Sequence, residues 1–391
     1  MDKIDLLAAG VVDLSKSIFG DDFTPLHRPV FEGNERQYLI ACIDSNFVSS
    51  VGIKVQEFED QVARYTGSKF AVATVNGTAA LHIAIETSGV CVGDEVITQA
   101  LTFVATCNAI VYAGAEPVFI DVDKDTMGLS PHALSEFLEK NVELQNGIAV
   151  NRVSGKRIAA CIPMHTFGIP CRIKEISSIC AKWGITLIED AAESLGSYVD
   201  DKHTGTFGGM ATLSFNGNKV ITTGGGGMII TNEEGLAMRA KHLTTTAKVP
   251  HPYEFVHDEV GYNYRMPNLN AALGCAQMER LEEMLHIKAD VADKWRTFFG
   301  LNNIRFCDAI KGATANFWLN AVVLDCKKDR DRFLQITNER GVMTRPIWKL
   351  MSELPMFKHC LRDHLENSRW LQDRVVNIPS SVPDGALIKN V

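Results

Sequence analysis

The stretch Phe70–Glu86, F-A-V-A-T-V-N-G-T-A-A-L-H-I-A-I-E, sets the architecture. Phe70 to Val75 is a largely apolar run of strand length. Asn76 and Gly77 make a small polar turn, and a helix starts near Thr78. Strand, tight turn and helix N-terminus is an arrangement that binds phosphate on free backbone N–H groups. No G-K-[ST] follows, so this is not a Walker loop. Taken alone, the stretch is equally an ordinary βα turn.

The same alternation runs on towards the C-terminus. Strands are expected at 95–98, 117–122, 158–163, 185–188, 209–215 and 227–231. Helices are expected between them at 103–112, 129–140 and 173–183, the second opened by Ser130-Pro131 as N-cap and first helical residue. The pattern predicts an α/β fold with a mostly parallel sheet buried on both faces. In such sheets, polar residues at the carboxyl ends of strands face the ligand. Asn76, His165, Asp190 and Lys219 all lie at or just past such ends.

Before Phe70, Ile4, Leu7, Val11, Leu14 and Ile18 recur at helical spacing and predict a short amphipathic helix that docks on a surface. Pro25 and Pro29 mark an extended segment, followed by helices over 35–44 and through Val55, Phe58 and Val62. Beyond Asn232 the texture changes. A helix over 233–243 leads into a polar and aromatic stretch, 244–265. Residues 268–299 read as one long helix or two with a bend. Helices over 329–340 and 361–374, with strands at 321–324 and 342–346, complete a small α+β unit. The expected division is a large domain over 1–250, with a helical extension over 1–22, and a small C-terminal domain over 251–391.

The chain has 391 residues, enough for two cores, and a net charge of -8, which argues against nucleic-acid binding driven by bulk charge. No apolar run is long enough for a membrane span. Asp2, Asp5 and Asp13 interrupt any signal-peptide pattern, so a cytoplasmic protein is expected. The ten cysteines include no C-x-x-C pair and read as buried or spectator thiols in a reduced compartment.

The chemistry centres on Thr212–Gly227, T-L-S-F-N-G-N-K-V-I-T-T-G-G-G-G. Lys219 there could clamp a phosphate, or form a Schiff base where backbone passes close to a flat cofactor. A pyridoxal phosphate site needs that lysine, a carboxylate for the pyridine nitrogen, phosphate donors and a flat side chain over the ring. Asp190, Thr78, Ala79, Phe103 and His165 are candidates for those jobs. Each also has a plainer reading: Asp190 as a helix N-cap, His165 as a satisfied buried histidine, Phe103 as core.

The chain resembles the DegT/DnrJ/EryC1/StrS family of PLP-dependent sugar aminotransferases, of the type I aminotransferase fold. The likeness rests on F-V-S-S-V-G from Phe47, N-G-T-A-A-L from Asn76, T-F-V-A-T from Thr102 and H-T-F-G-I-P from His165. It rests also on E-D-A-A-E-S-L-G from Glu189, S-F-N-G-N-K-V-I-T-T-G-G-G-G from Ser214, G-Y-N-Y-R-M from Gly261 and T-R-P-I-W from Thr344. The resemblance implies a large domain with a mostly parallel seven-stranded sheet and a small α+β domain. It implies pyridoxal 5'-phosphate as cofactor, Lys219 as Schiff-base lysine and proton carrier, and Asp190 as partner of the ring nitrogen. Glu193 would contact the phenolic oxygen, where many relatives carry Gln. Phe103 would stack on the ring, His165 would lie near its opposite face, and Thr78, Ala79 and Ser214 would hold the phosphate. Asn263 would reach the phosphate of a neighbouring subunit, giving a homodimer with shared active sites. Arg265, Arg345 and Trp348 are further candidates for substrate contact.

The wording is most similar to the branch that aminates UDP-linked 4-keto-6-deoxy-N-acetylhexosamines. This implies L-glutamate as donor and a nucleotide sugar as acceptor, with GDP- and dTDP-linked sugars as alternatives. A related dehydratase would carry histidine in place of Lys219. A non-catalytic PLP-binding regulator would need a DNA-binding module, and a dinucleotide oxidoreductase would need G-x-G-x-x-G after the first strand. The sequence shows none of these features.

Overall fold

The structure is a computed structural model and describes residues 2–387. In chain order its main elements begin with α1 (Lys3–Phe19), α2 (Glu35–Asp44), α3 (Ile53–Thr66), β1 (Phe70–Thr74), α4 (Gly77–Thr87), β2 (Glu95–Gln99) and α5 (Val104–Tyr112). Next come β3 (Glu116–Ile120), α6 (Pro131–Asn141), β4 (Ile158–Ile162), α7 (Ile173–Trp183), β5 (Thr186–Asp190), β6 (Met210–Ser214), β7 (Gly227–Thr231) and α8 (Glu234–Thr244). The C-terminal part holds α9 (Asn268–Met278), α10 (Leu281–Leu301), β8 (Arg305–Phe306), β9 (Asn320–Val323), α11 (Lys327–Glu339), β10 (Arg345–Pro346), α12 (Glu366–Gln372) and β11 (Val375–Ile378).

Strands β1 to β7 form one seven-stranded sheet in the order β1-β7-β6-β5-β4-β2-β3. The neighbours from β6 across to β3 pair in parallel, and β7 runs antiparallel to both β6 and β1. The reason lies in the connections. β2 to β3 and β4 to β5 are joined through α5 and α7, and β5 to β6 through the 19 residues Ala191 to Gly209, whereas only 12 residues, Phe215 to Gly226, join β6 to β7. A connection this short turns the chain straight back. That turn carries Lys219 and the glycine run.

Successive strand residues face opposite layers. Val72 and Ile229 join a cluster with Leu81, Ile85 and Ile110 from α4 and α5. Ala73, Met228 and Ile230 join one with Phe58, Val62 and Cys275 from α3 and α9. Farther along, Ile97, Val118 and Leu187 pack on Leu134, Leu138 and Ile176 from α6 and α7. The sheet is therefore covered on both sides, and its strands read as nearly unbroken apolar runs.

A four-stranded antiparallel sheet, in the order β8-β9-β11-β10, lies in the C-terminal part. Here the N-terminal helix finds its surface. Ile4, Leu7 and Val11 of α1 pack with Trp295 and Phe299 of α10, Phe333 of α11 and Val322, Val376 and Ile378 of the sheet. The apolar stripe was legible; its host was not, and the contacts tie α1 to the C-terminal elements instead of grouping residues 1–22 with the large sheet.

Of the two readings of 268–299, the structure has two helices, broken at Glu279 and Arg280. The 361–374 helix shrinks to Glu366–Gln372 because its start is set from outside. Leu365 turns left-handed at φ 50°, and the distant Asp121 carboxylate accepts Asn367 N–H and Ser368 N–H at 2.8 Å. Among the described residues, no helix is long and apolar enough to cross a membrane.

Candidate active site

Four strand ends converge beside the turn after β6. At the end of β1, Asn76 is the N-cap of α4 and its side-chain oxygen accepts the Ala79 N–H at 2.8 Å. The Ala79 amide, expected to hold a phosphate, is thus used inside the turn. The amides of Gly77 and Thr78 have no intrahelical carbonyl to reach and stay available at the positive end of α4. Ser214, the last residue of β6, stands against them. A Cβ on Gly77 would lie 3.0 Å from the Ser214 Cβ and 3.2 Å from its Oγ. A Cβ on Gly227 would lie 2.4 Å from the Asn76 carbonyl oxygen and 2.7 Å from the Gly77 nitrogen. The cradle exists because neither position carries a side chain, and this is what the glycine run secures.

Asp190 ends β5 and is 2% exposed. Its carboxylate accepts the Thr106 hydroxyl at 2.7 Å and the Ala192 N–H at 3.2 Å. Burial raises its pKa; those two donors and the Lys219 amine work against the rise. The result is a buried carboxylate with coordination to spare, poised for a cationic N–H donor.

Lys219 lies in the tight turn, which is stapled by Lys219 N–H to Asn216 O and by Thr223 N–H to Phe215 O, both at 3.0 Å. Its Nζ is 3.2 Å from Glu193 Oε1 and 3.8 Å from the centre of the Trp318 ring. Glu193 is buried, and its second oxygen accepts the Phe167 N–H at 2.8 Å. Burial pushes the Glu193 carboxyl up to about 7, partly countered by Lys219. Lys219, Glu193, Ser214, Asn316 and Trp318 line one small cleft. A larger cavity of about 460 Å³, lined by His132, Lys140 and Arg362 among others, includes none of these residues.

His165 is more deeply set than expected. It was expected as a flat group near the ring face, but it is fully enclosed and both nitrogens are engaged. Nε2 lies 3.1 Å from Glu189 Oε2, and Nδ1 accepts the Cys171 N–H at 3.3 Å. Glu189 also accepts N–H groups from Gly205, Phe207 and Gly208. Burial works to raise its pKa, but these donors and His165 hold it below the usual range. The pair buttresses the strand end that carries Asp190.

Phe103 precedes α5 and is 49% exposed. Its ring lies 6.2 Å from Trp348, which lies 4.9 Å from Phe167. It therefore presents a free flat face beside the cleft. Asn263 is exposed; its backbone bridges Thr245, and its side chain accepts from Arg265 at 3.5 Å. Arg345 is exposed on β10.

These residues fit pyridoxal phosphate: an amine on a turn, a buried carboxylate, a hydroxyl-and-amide cradle that any Cβ would fill, and an exposed aromatic face. Sequence reasoning missed Thr106, Glu189, Asn316 and Trp318 as site residues. Thr106 and Glu189 lie inside quoted motifs. Trp318 and Asn316, in A-N-F-W-L-N, carry no local signal that would join them to Lys219.

Comparison with known proteins agrees with this chemistry. The sequence model of the DegT/DnrJ/EryC1/StrS aminotransferase family matches residues 29–383. The chain is 37% identical over 337 residues to EpsN of Bacillus subtilis (strain 168), whose name proposes a pyridoxal phosphate-dependent aminotransferase, covering 86% of this chain and 84% of that one. It is 36% identical over 359 residues to the GDP-perosamine synthase of Vibrio cholerae, covering 91% and 93%. The structure of DesI with its TDP-sugar product superposes with a TM-score of 0.80 at 26% identity, covering 92% of this chain and 88% of that chain.

Proposed function

The chain belongs to the DegT/DnrJ/EryC1/StrS aminotransferase family and uses pyridoxal phosphate, and on that premise we propose that it passes an amine from L-glutamate to C4 of a nucleotide-linked 4-keto-6-deoxy sugar. The acceptor we favour is UDP-4-keto-6-deoxy-N-acetylglucosamine. The observation that carries the reading is the meeting, at strand ends, of Lys219 with buried Asp190 and with the Ser214 and α4 cradle.

When bound, pyridoxal phosphate supplies the electron sink that lets an amino donor lose its Cα proton. The chain's own groups do the rest. Ser214 Oγ and the amides of Gly77 and Thr78 bind the phosphate at the positive end of α4. Asp190 orients the ring by presenting charge to its nitrogen. Phe103 covers one face of the ring. Lys219 anchors the cofactor and, once released, takes and returns a proton at Nζ. Glu193 stands within proton-exchange distance of that amine at 3.2 Å.

A homodimer accounts for two features of the surface. Ile40, Ile43, Phe47, Val51 and Ile53, on α2, α3 and the loop between them, are each more than half exposed, which suits a covered face. Asn263 is exposed and would reach a neighbour's phosphate. The ten cysteines are all unpaired, which suits a reducing cytoplasm.

A second reading, with a GDP-linked acceptor, is favoured by the 36% identity to a protein named GDP-perosamine synthase. One experiment tests both. Loaded protein should lose its cofactor absorbance band on adding glutamate. It should then add one amine, seen by mass, to one of a panel of UDP-, GDP- and dTDP-linked 4-keto-6-deoxy sugars. A loaded protein that is indifferent to glutamate would overturn both readings.

A further inference from the structure

We propose that the indole of Trp318 is the seat on which the Lys219 ammonium rests when it is not bonded to the cofactor, holding the proton that the amine carries between transfers. The inference rests on the functional reading above and deepens it, by assigning a positioning residue to the same site.

The geometry is specific. Lys219 Nζ lies 3.8 Å from the centre of the Trp318 ring and 3.2 Å from Glu193 Oε1, so one amine has an aromatic face on one side and a carboxylate on another. A desolvated cation over an indole is a favourable pair, and Trp is the best of the aromatic residues for it. Trp318 is 4% exposed. It is also clamped at three points. Its indole N–H donates to Asn218 O at 2.6 Å, its backbone N–H to Asn316 Oδ1 at 2.8 Å, and its carbonyl accepts Lys288 Nζ at 3.2 Å. The first clamp ties the ring to the peptide next to Lys219, so seat and lysine move as one body. Asn316 in turn donates to the carbonyls of Glu193 and Leu195 at 2.9 and 2.8 Å, which fixes the carboxylate to the same frame.

The charges facing Lys219 are few. Glu193 and Asp190 come from β5 and the turn after it. His27 comes from the extended segment after α1; burial and the two nearby lysines hold it neutral. Lys288 stands behind Trp318 on α10. On the side away from Glu193 and Asp190, the seat for an ammonium is therefore the π face alone.

The test titrates the amine in the full chain without cofactor. Competitive labelling with trace acetic anhydride across pH, read by mass spectrometry of the Lys219 peptide against exposed Lys328, reports the fraction of free amine. In Trp318→Leu the midpoint should fall by about one pH unit, a roughly tenfold gain in reactive amine at neutral pH. Replacing the five tryptophans by 5-fluorotryptophan withdraws charge from the indole face at nearly constant shape, and should lower the midpoint by a few tenths of a unit. A packing role alone would not move the fluorinated protein. An unchanged midpoint in that protein overturns the proposal, whether or not Trp318→Leu folds. The functional reading fails separately, if borohydride fixes the cofactor to a lysine other than Lys219.

Discussion

Lys219 and Lys288 are both drawn out of water, and the fold treats them in opposite ways. Lys219 sits in the turn after β6 with its side chain 14% exposed, a carboxylate at 3.2 Å and an aromatic face at 3.8 Å. Lys288 sits within α10, fully enclosed, and among the described residues donates only to the carbonyl oxygens of Trp318 at 3.2 Å and Ser380 at 2.5 Å. Carbonyl dipoles do not replace a counter-charge, so burial lowers the Lys288 pKa to about 7. One amine keeps an anion and an open approach, and can react. The other is a strut that ties α10 to the segment before β9 and to the C-terminal tail. Residue type is the same; the surroundings assign the work.

Removing each amine is the strongest way to break this contrast. Lys219→Ala should lower kcat/KM by about 1,000-fold or more while the protein still folds. Turnover close to the native rate would end its assignment. Lys288→Met should do the reverse. It leaves two buried carbonyls unpaired and should cost about 1–3 kcal/mol at pH 9, with a far smaller effect on kcat/KM.

The pH dependence sharpens the second half. The folded pKa of Lys288, about 7, lies below its ordinary 10.5. Between those values the unfolded chain binds a proton that the folded chain does not. Native stability from this group therefore rises with pH from about 7 towards 10, by at most about 1.4 kcal/mol per unit, and the Met variant lacks that slope. Urea unfolding of both proteins at pH 7 and pH 9 measures it, and parallel changes would refute it.

The smallest effect concerns the anion beside Lys219. Glu193 titrates near 7, so its charge opposite the lysine grows as pH rises through neutrality. A limb near pH 7 should appear in kcat/KM for the glutamate half-reaction and vanish in Glu193→Gln, with activity lowered by about three- to tenfold. Persistence of the limb would assign it to another group.

Much of this was legible in advance, for a local reason. The run Phe70–Thr74 and the run Gly227–Thr231 are apolar, short and bounded by turn residues, and both are central or edge strands of the one large sheet. Asp190, Ser214 and Lys219 could be placed because strand ends in such a sheet share one side. The errors arose where a distant residue decided. The start of α12 depends on Asp121, from the far side of β3. His165 could not be told from a ring-facing residue until Glu189 and Cys171 were seen to occupy both nitrogens. One departure was local: Asn76, three residues away, already accepts the Ala79 amide that was expected to face a phosphate.

By itself the amino-acid sequence determined the alternation of strands and helices and the chemical inventory of the site. These follow from periodicity, turn residues and side-chain type, which act over a few residues. Only the tertiary structure decided which groups flank Lys219. Trp318 and Asn316 reach it from the far end of the chain, and Lys288 fixes Trp318 from α10. Burial and hydrogen-bond partners are properties of that packing, and they separate a reactive lysine from a structural one.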